Sequence, residues 1–162
     1  MGWIRTEDRD RVRWLVLDRP DRRNAVPSPG GWDDLAAAFH AFEASEQRVL
    51  VITGAGGSFC SGADLDPGRL EHTPSIAEHK RRMNRSGDAA LALRRLTKPS
   101  ISAVDGGAAG AGMNLALGCD MVVASTRARF SEIFVRRGLT LDFGGTWLLP
   151  RVVGIQRAKE LA

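Results

Sequence analysis

Two turns built almost wholly from small residues each follow a short aliphatic run in this chain of 162 residues. The first, Ser58-Phe59-Cys60-Ser61-Gly62-Ala63-Asp64-Leu65, comes after Val49-Leu50-Val51-Ile52-Thr53. The second, Asp105-Gly106-Gly107-Ala108-Ala109-Gly110-Ala111-Gly112-Met113-Asn114, comes after Ile101-Ser102-Ala103-Val104. Runs this short and apolar read as buried strands. Small residues directly after a strand let another group approach the main chain closely. Two such turns can aim two backbone N–H groups at one oxygen, the arrangement that stabilises a developing oxyanion.

The rest of the chain alternates around these turns. Residues 3–7 and 12–17 flank the turn-like Arg9-Asp10 and predict an opening hairpin, followed by a loop over 18–24. Trp32, Leu35, Ala36, Phe39 and Phe42 recur at three and four residues, an amphipathic helix ending near Ser45. Residues 66–75, with Pro67 and Pro74, predict a loop. A long helix follows over about 76–96, with Met83, Ala90, Leu93 and Leu96 inward, and Lys98-Pro99 stops it. Residues 100–104 make a strand, 111–117 a short helix opening at the second turn, 120–124 a strand, and 144–153 another helix. Such alternation predicts an α/β fold with a largely parallel sheet. No internal repeat or interdomain linker is visible. Residues 154–162 are good helix formers with no cap signal, so 1–162 reads as one domain, incomplete at its C-terminus.

Composition narrows the partners. A 43% hydrophobic and 26% charged chain is ordinary for a globular protein. No run approaches the ~20 apolar residues that span a bilayer, and the N-terminus lacks the apolar core of a signal peptide, so the expectation is cytoplasmic, with no membrane partner. Cys60 and Cys119 fit no metal spacing and read as buried small hydrophobes in a reducing compartment. The net charge of +4 comes almost wholly from arginine, lysine appearing only at Lys80, Lys98 and Lys159. A positive field suits an anionic partner, either nucleic acid or a phosphate-bearing small molecule. The run Lys80-Arg81-Arg82-Met83-Asn84-Arg85 reads as a solvated helix face, with an RNA-binding face as the alternative.

A dinucleotide site is not supported. Gly110-Ala111-Gly112 begins a G-x-G-x-x-G pattern, but Leu115 takes the third glycine's place, and Phe59 does so after Gly54-Ala55-Gly56. Four other motifs carry a resemblance. Phe59-Cys60-Ser61-Gly62-Ala63-Asp64-Leu65 resembles the F-[CA]-A-G-A-D-[LI] turn of the enoyl-CoA hydratase/isomerase (crotonase) family. Arg19-Pro20-Asp21-Arg22-Arg23-Asn24-Ala25-Val26 is similar to its R-P-x-x-x-N-A-[LV] loop. The stretch from Asp105 to Asp120 resembles its N-G-x-A-x-G-G-G-x-x-L-A-x-x-C-D element, and Gly144-Gly145-Thr146 its G-G-[ST] turn.

The resemblance implies a ββα superhelical core, here without the C-terminal helical segment, and assembly as trimers or dimers of trimers. It implies an acyl-CoA substrate, coenzyme A being part of that substrate and no separate cofactor or metal being needed. The oxyanion donors would be the N–H groups of Ala63 and Ala111, alanine at 111 adding a methyl group but keeping the donor. Substrate and coenzyme A contacts are implied for Arg23, Ala25, Ser61, Ala63, Asp64, Leu65, Ala108, Ala111 and Phe134, with Arg22, Arg23 and Arg69 as candidates for the phosphates. Asp64 would orient the first turn or contact the pantetheine arm through its backbone.

The acid–base group is where the motifs diverge. The two positions of the paired hydratase glutamates hold Asn114 and Phe134, which argues against classical water addition. Gly138-Leu139-Thr140-Leu141-Asp142-Phe143-Gly144-Gly145-Thr146 resembles the G-L-x-x-D-x-G-G-[ST] segment of a subgroup with enoyl-CoA isomerases and the ring isomerases of phenylacetyl-CoA degradation, where the aspartate is catalytic. Apolar neighbours Leu139, Leu141, Phe143 and Trp147 should raise the Asp142 pKa toward working pH. The alternative is that Asp142 caps the helix opening near Gly144. Glu132 is the rival carboxylate, expected on a different face. The leading expectation is double-bond isomerisation with Asp142 as acid–base; a hydratase or ring isomerase at the same site, or an inert CoA- or RNA-binding chain, are the alternatives, with nucleic acid the less expected partner.

Overall fold

The computed structural model describes residues 2–65 and 75–162. In chain order the elements are β1 (Ile4–Arg9), β2 (Val12–Leu17), α1 (Gly31–Glu43), β3 (Val49–Gly54), α2 (Ile76–Arg94), β4 (Ser100–Val104), β5 (Gly107–Ala109), α3 (Ala111–Gly118), β6 (Met121–Ala124), β7 (Arg129–Ser131), α4 (Gly145–Val153) and α5 (Ile155–Leu161). Short 3-10 turns cover Pro20–Arg22 and Phe134–Arg137. The expected opening hairpin is present: β1 and β2 pair antiparallel, turning at Asp10 with φ 54°. From β2 onward the main sheet is parallel, in the order β1-β2-β3-β4-β6, with helical crossovers between successive parallel strands.

The core forms where the strand and helix patterns meet. Leu15, Leu17, Leu50 and Ile52 from the sheet pack with Leu35, Phe39 and Phe42 from α1, all fully buried. On β4 the inward positions are Ser100, Ser102 and Val104. A small side chain there lets α3 lie close, and the Ser102 hydroxyl donates to the Ala116 carbonyl at 3.1 Å. Cys60 and Cys119 are free and buried in this core, and burial pushes both thiols up to about 12. No helix among the described residues is long and apolar enough to cross a membrane.

The start of α2 agrees with the sequence reading, and two features depart from it. α2 starts at a capping box, Ser75 accepting from the Glu78 N–H while its own N–H donates to the Glu78 carboxylate. Its inward face begins only at Ser86 and continues through Ala89, Ala92 and Leu93, so Met83 lies exposed rather than inward. The first three turns of that helix have no buried residue, so burial and not periodicity decides Met83. A second small sheet, β5 with β7 in parallel, was not foreseen. Of the predicted loop over 66–75, residues 66–74, with Arg69, lie outside the described residues, and Ser75 is the N-cap of α2.

Candidate active site

The two small-residue turns lie against each other. Phe59 and Cys60 donate through their N–H groups to the Gly107 carbonyl at 2.9 and 3.1 Å, and Ala109 donates back to the Cys60 carbonyl at 2.9 Å. Glycine is required at the contact itself. A Cβ on Gly112 would run into the Cys60 carbonyl, and one on Gly62 (φ +88°) would sit 2.9 Å from the Ala109 carbonyl and 3.3 Å from the Ala111 nitrogen. These backbone hydrogen bonds bring Gly62 and Ala111 together although they are far apart in sequence.

The direction of the Ala63 N–H follows from a short parallel bridge to Val26. Val26 donates to the Gly62 carbonyl at 2.8 Å and Asp64 donates to the Val26 carbonyl at 3.0 Å. In a parallel ladder the residue between those two bonds turns its own N–H away. That residue is Ala63, whose N–H has no acceptor among the described residues. Ala111 is the first residue of α3, where an N–H has no partner within the helix. Gly110 before it (φ 53°) supplies no side-chain cap. The Ala111 methyl is buried in the core while its N–H stays unpaired among the described residues.

The arginine-rich loop braces the first turn. Asn24 is wholly buried with φ 56°, a conformation asparagine tolerates better than most residues. Its Nδ2 donates to the carbonyls of Ala55 and Ser58 at 2.9 and 2.7 Å, and its Oδ1 accepts from the Arg19 N–H at 2.8 Å. Asp64 is clasped by Arg19 at 3.0 Å and Arg22 at 3.1 Å, which ties the first turn to the arginine-rich loop and engages Arg22 there. Ser61 donates its N–H to the Arg23 carbonyl at 3.0 Å, and the Arg19 guanidinium donates to the carbonyl of buried Ala25. Arg23 stands exposed with no ion-pair partner among the described residues, and Leu65 is exposed on the same rim. Ala108 is buried at its bridge to Cys60.

On the other side of α3 lies a cluster of three polar side chains. Asn114, one turn beyond Ala111, is wholly buried. Its Nδ2 donates to the Asp142 carbonyl at 3.0 Å and to Glu132 Oε2 at 3.4 Å. Asn114 Oδ1, Glu132 Oε1 and Asp142 Oδ1 are buried with no hydrogen-bond partner. Burial pushes the Asp142 carboxyl from its usual 3.8 up to about 6. It pushes Glu132 from 4.5 up to about 7, with the Asp142 charge adding to the rise and the Asn114 hydrogen bond opposing it. Among the apolar neighbours expected to raise Asp142, Phe143 is buried and stacks on Trp32 at 5.4 Å, whereas Leu139 and Trp147 are about half exposed.

Two sequence expectations are settled by this cluster. The helix α4 takes Gly144 as its N-cap with no side-chain cap bond, so Asp142 does not cap it. Glu132 does not lie on a different face: it reaches the amide that holds the Asp142 backbone. A period of two along β7 carries the signal, because it sets Glu132 on the face of Phe130, and both line one apolar groove with Met113, Leu149 and Leu161. Phe134 is buried, its ring within reach of the second turn at Gly110. A cavity of about 300 Å³ adjoins the Asp142 loop, lined by Ala90, Leu91, Arg94, Gly118, Phe143, Gly144, Trp147 and Leu148. No group of three or more metal-ligating side chains occurs among the described residues.

Known proteins share this arrangement of elements. The chain matches the family model described as enoyl-CoA hydratase/isomerase over residues 7–162. A probable enoyl-CoA hydratase of Rhodobacter capsulatus is 40% identical over 98% of this chain and 60% of its own length. A 1,2-epoxyphenylacetyl-CoA isomerase of Escherichia coli is 41% identical over 93% of this chain and 58% of its own. The crystal structure of a putative enoyl-CoA hydratase from Streptomyces coelicolor superposes with a TM-score of 0.91 at 36% identity, covering 99% of this chain and 59% of that one. The chain thus spans about 60% of the length of the relatives it matches. On that match, and with a parallel α/β core that superposes on crotonase-like structures, this chain belongs to the enoyl-CoA hydratase/isomerase family.

Proposed function

We propose that this site isomerises the double bond of an enoyl-CoA thioester, with the Ala63 and Ala111 N–H groups holding the thioester oxygen and Asp142 moving the proton. With a 3-enoyl-CoA, the Asp142 carboxylate takes a proton from C2. Charge collects on the thioester oxygen of the resulting dienolate, and as the same carboxyl returns the proton at C4 that charge is released and the double bond forms at C2–C3. Proton and charge balance with one acid–base group. The developing oxyanion is the costly part, and one well-aimed donor is worth about 3–4 kcal/mol in such sites.

The observation that carries the reading is Asp142 itself. Its Oδ1 is buried without a partner, and burial pushes its carboxyl up to about 6, where a base is ionised at neutral pH yet able to hold a proton. Asn114 and Phe134 stand where paired hydratase glutamates would. The 300 Å³ cavity beside Phe143 and Gly144 suits an apolar acyl chain, and exposed Arg23 suits a coenzyme A phosphate. Assembly into trimers belongs to the same reading, as does ring isomerisation, the activity in the Escherichia coli relative's name.

The test is turnover of a 3-enoyl-CoA by the wild-type chain and by Asp142→Asn. Loss of a positioned acid–base group predicts a fall in kcat of at least about 100-fold with little change in KM. Equal rates would remove Asp142 from the mechanism. Water addition to a 2-enoyl-CoA is the second reading, favoured by the buried Glu132 carboxyl beside Asp142. Hydration without isomerisation in the same assay would select it. Turnover of neither substrate, with coenzyme A or RNA still bound, would select the inert reading.

A further inference from the structure

The Asn114 amide has two N–H bonds to give, and both are spent, on the Asp142 carbonyl and on Glu132 Oε2. Three acceptors remain around it with no donor: its own Oδ1, Glu132 Oε1 and Asp142 Oδ1. An unsatisfied buried acceptor is costly, and ionised carboxylates can only accept. A proton on one carboxyl group is the donor that these side chains themselves can supply. Two buried anions this close also oppose each other's ionisation.

The surroundings say which acid keeps the proton. Around Glu132, α3 contributes Asn114 and apolar Met113, α4 contributes Leu149, and α5 contributes Leu161. The groove that Glu132 lines carries no cation among the described residues, and the Asp142 charge opposes a Glu132 anion. Glu132 is only 2% exposed. Asp142 releases its proton first, at about 6, and Glu132 holds on to about 7.

We propose that Glu132 is a positioning residue of this site: as the neutral acid it keeps the single proton of a Glu132–Asp142 pair and, through the Asn114 amide, holds Asp142 as the ionised base. The proposal rests on the reading of Asp142 as the base. Glu132 keeps its proton through the reaction, so the shuttle from C2 to C4 by Asp142 is unchanged in balance. Once Glu132 ionises, a second buried negative charge opposes the enolate.

The test combines pH profiles of kcat with carbon-13 NMR titration of the carboxyl groups, in the wild type, Glu132→Gln, Glu132→Ala and Asp142→Asn. The wild type should show kcat rising through about 6 and falling above about 7, with carboxyl steps at the same values. Glutamine can donate like the neutral acid but cannot ionise. Glu132→Gln should therefore keep kcat within about threefold at its optimum and lose the fall at high pH, whereas Glu132→Ala should lose about tenfold or more in kcat without a matching change in KM. In Asp142→Asn the Glu132 step should move to lower pH, a readout that needs no turnover.

A Glu132 step at the ordinary carboxyl range, or one unmoved by Asp142→Asn, overturns the proposal. A Glu132→Gln profile identical to that of the wild type overturns it too, as does inactivity of Glu132→Gln at every pH. If Asp142→Asn is inactive while the carboxyl steps are uncoupled, only the Glu132 proposal falls. If Asp142→Asn is fully active, the base assignment falls first and takes the positioning role with it.

Discussion

Asn24 and Asp142 show opposite uses of a buried polar side chain. Every polar atom of the Asn24 amide has a partner, and the result is a rigid brace under the first turn. Asp142 is left with an open lone pair and a carboxyl displaced upward by burial. That displacement has a stability consequence with a definite sign. Between 3.8 and about 6 the folded chain holds a proton that the unfolded chain releases, so the native state loses stability as pH rises through that window. At about 1.4 kcal/mol per pKa unit, the loss from Asp142 is about 2–3 kcal/mol. Asp142→Asn should therefore gain on the wild type by roughly that amount between pH 4 and pH 8. Urea unfolding at both pH values checks this, and a gap that does not widen with pH would contradict the buried placement of the carboxyl. A site that becomes more stable when its base is removed is the trade between activity and stability seen in many active sites.

At the scale of elements, α3 joins the two halves of the site. Its first N–H faces the first turn, its next turn presents Asn114 to Asp142, and its body lies on β4 through Ser102. The contact at Gly112 has no room for a methyl group, because the obstacle is the Cys60 backbone. Gly112→Ala should part the two turns and cost about 1–3 kcal/mol through overpacking. Activity should fall further than stability, since sub-ångström aim matters at the donors; thermal unfolding and turnover on one preparation separate the two. Gly87→Ala is the control, having nothing within 4 Å of an added Cβ.

Much of this scale was legible in the sequence. The strands at 49–54 and 100–104 and the helix α1 follow from runs and periods that one face of a core enforces. The paired turns were legible because only small residues survive a backbone-to-backbone approach. β5 and β7 were not, since three-residue strands are stabilised by a partner 22 positions away in register, Gly107 with Arg129. Glu132 reads from the sequence as a rival carboxylate on a different face, because the neighbour that brings it to Asp142, Asn114, comes from another element.

The whole molecule is asymmetric about its sheet. One edge strand is β1, paired with β2 in the hairpin; the other is β6, whose Met121, Val122 and Val123 are exposed, Val122 sharing an apolar groove with Phe130 and Val152. The chain also spans about 60% of the length of its relatives. Exposed apolar strands of this kind invite association. Light scattering should show concentration-dependent association of the wild type that Val123→Lys reduces; the same mass for both at every concentration would count against it. There is a calorimetric side to this edge. Heat capacity rises on unfolding because apolar groups newly meet water, by about 12–15 cal/mol/K per residue in ordinary globular proteins. Side chains on β6 that are already about half wet in the folded chain add less to that rise. As a monomer the protein should therefore melt with a shallower stability curve than its length suggests, and bending that curve back to normal would be the thermal signature of β6 being covered.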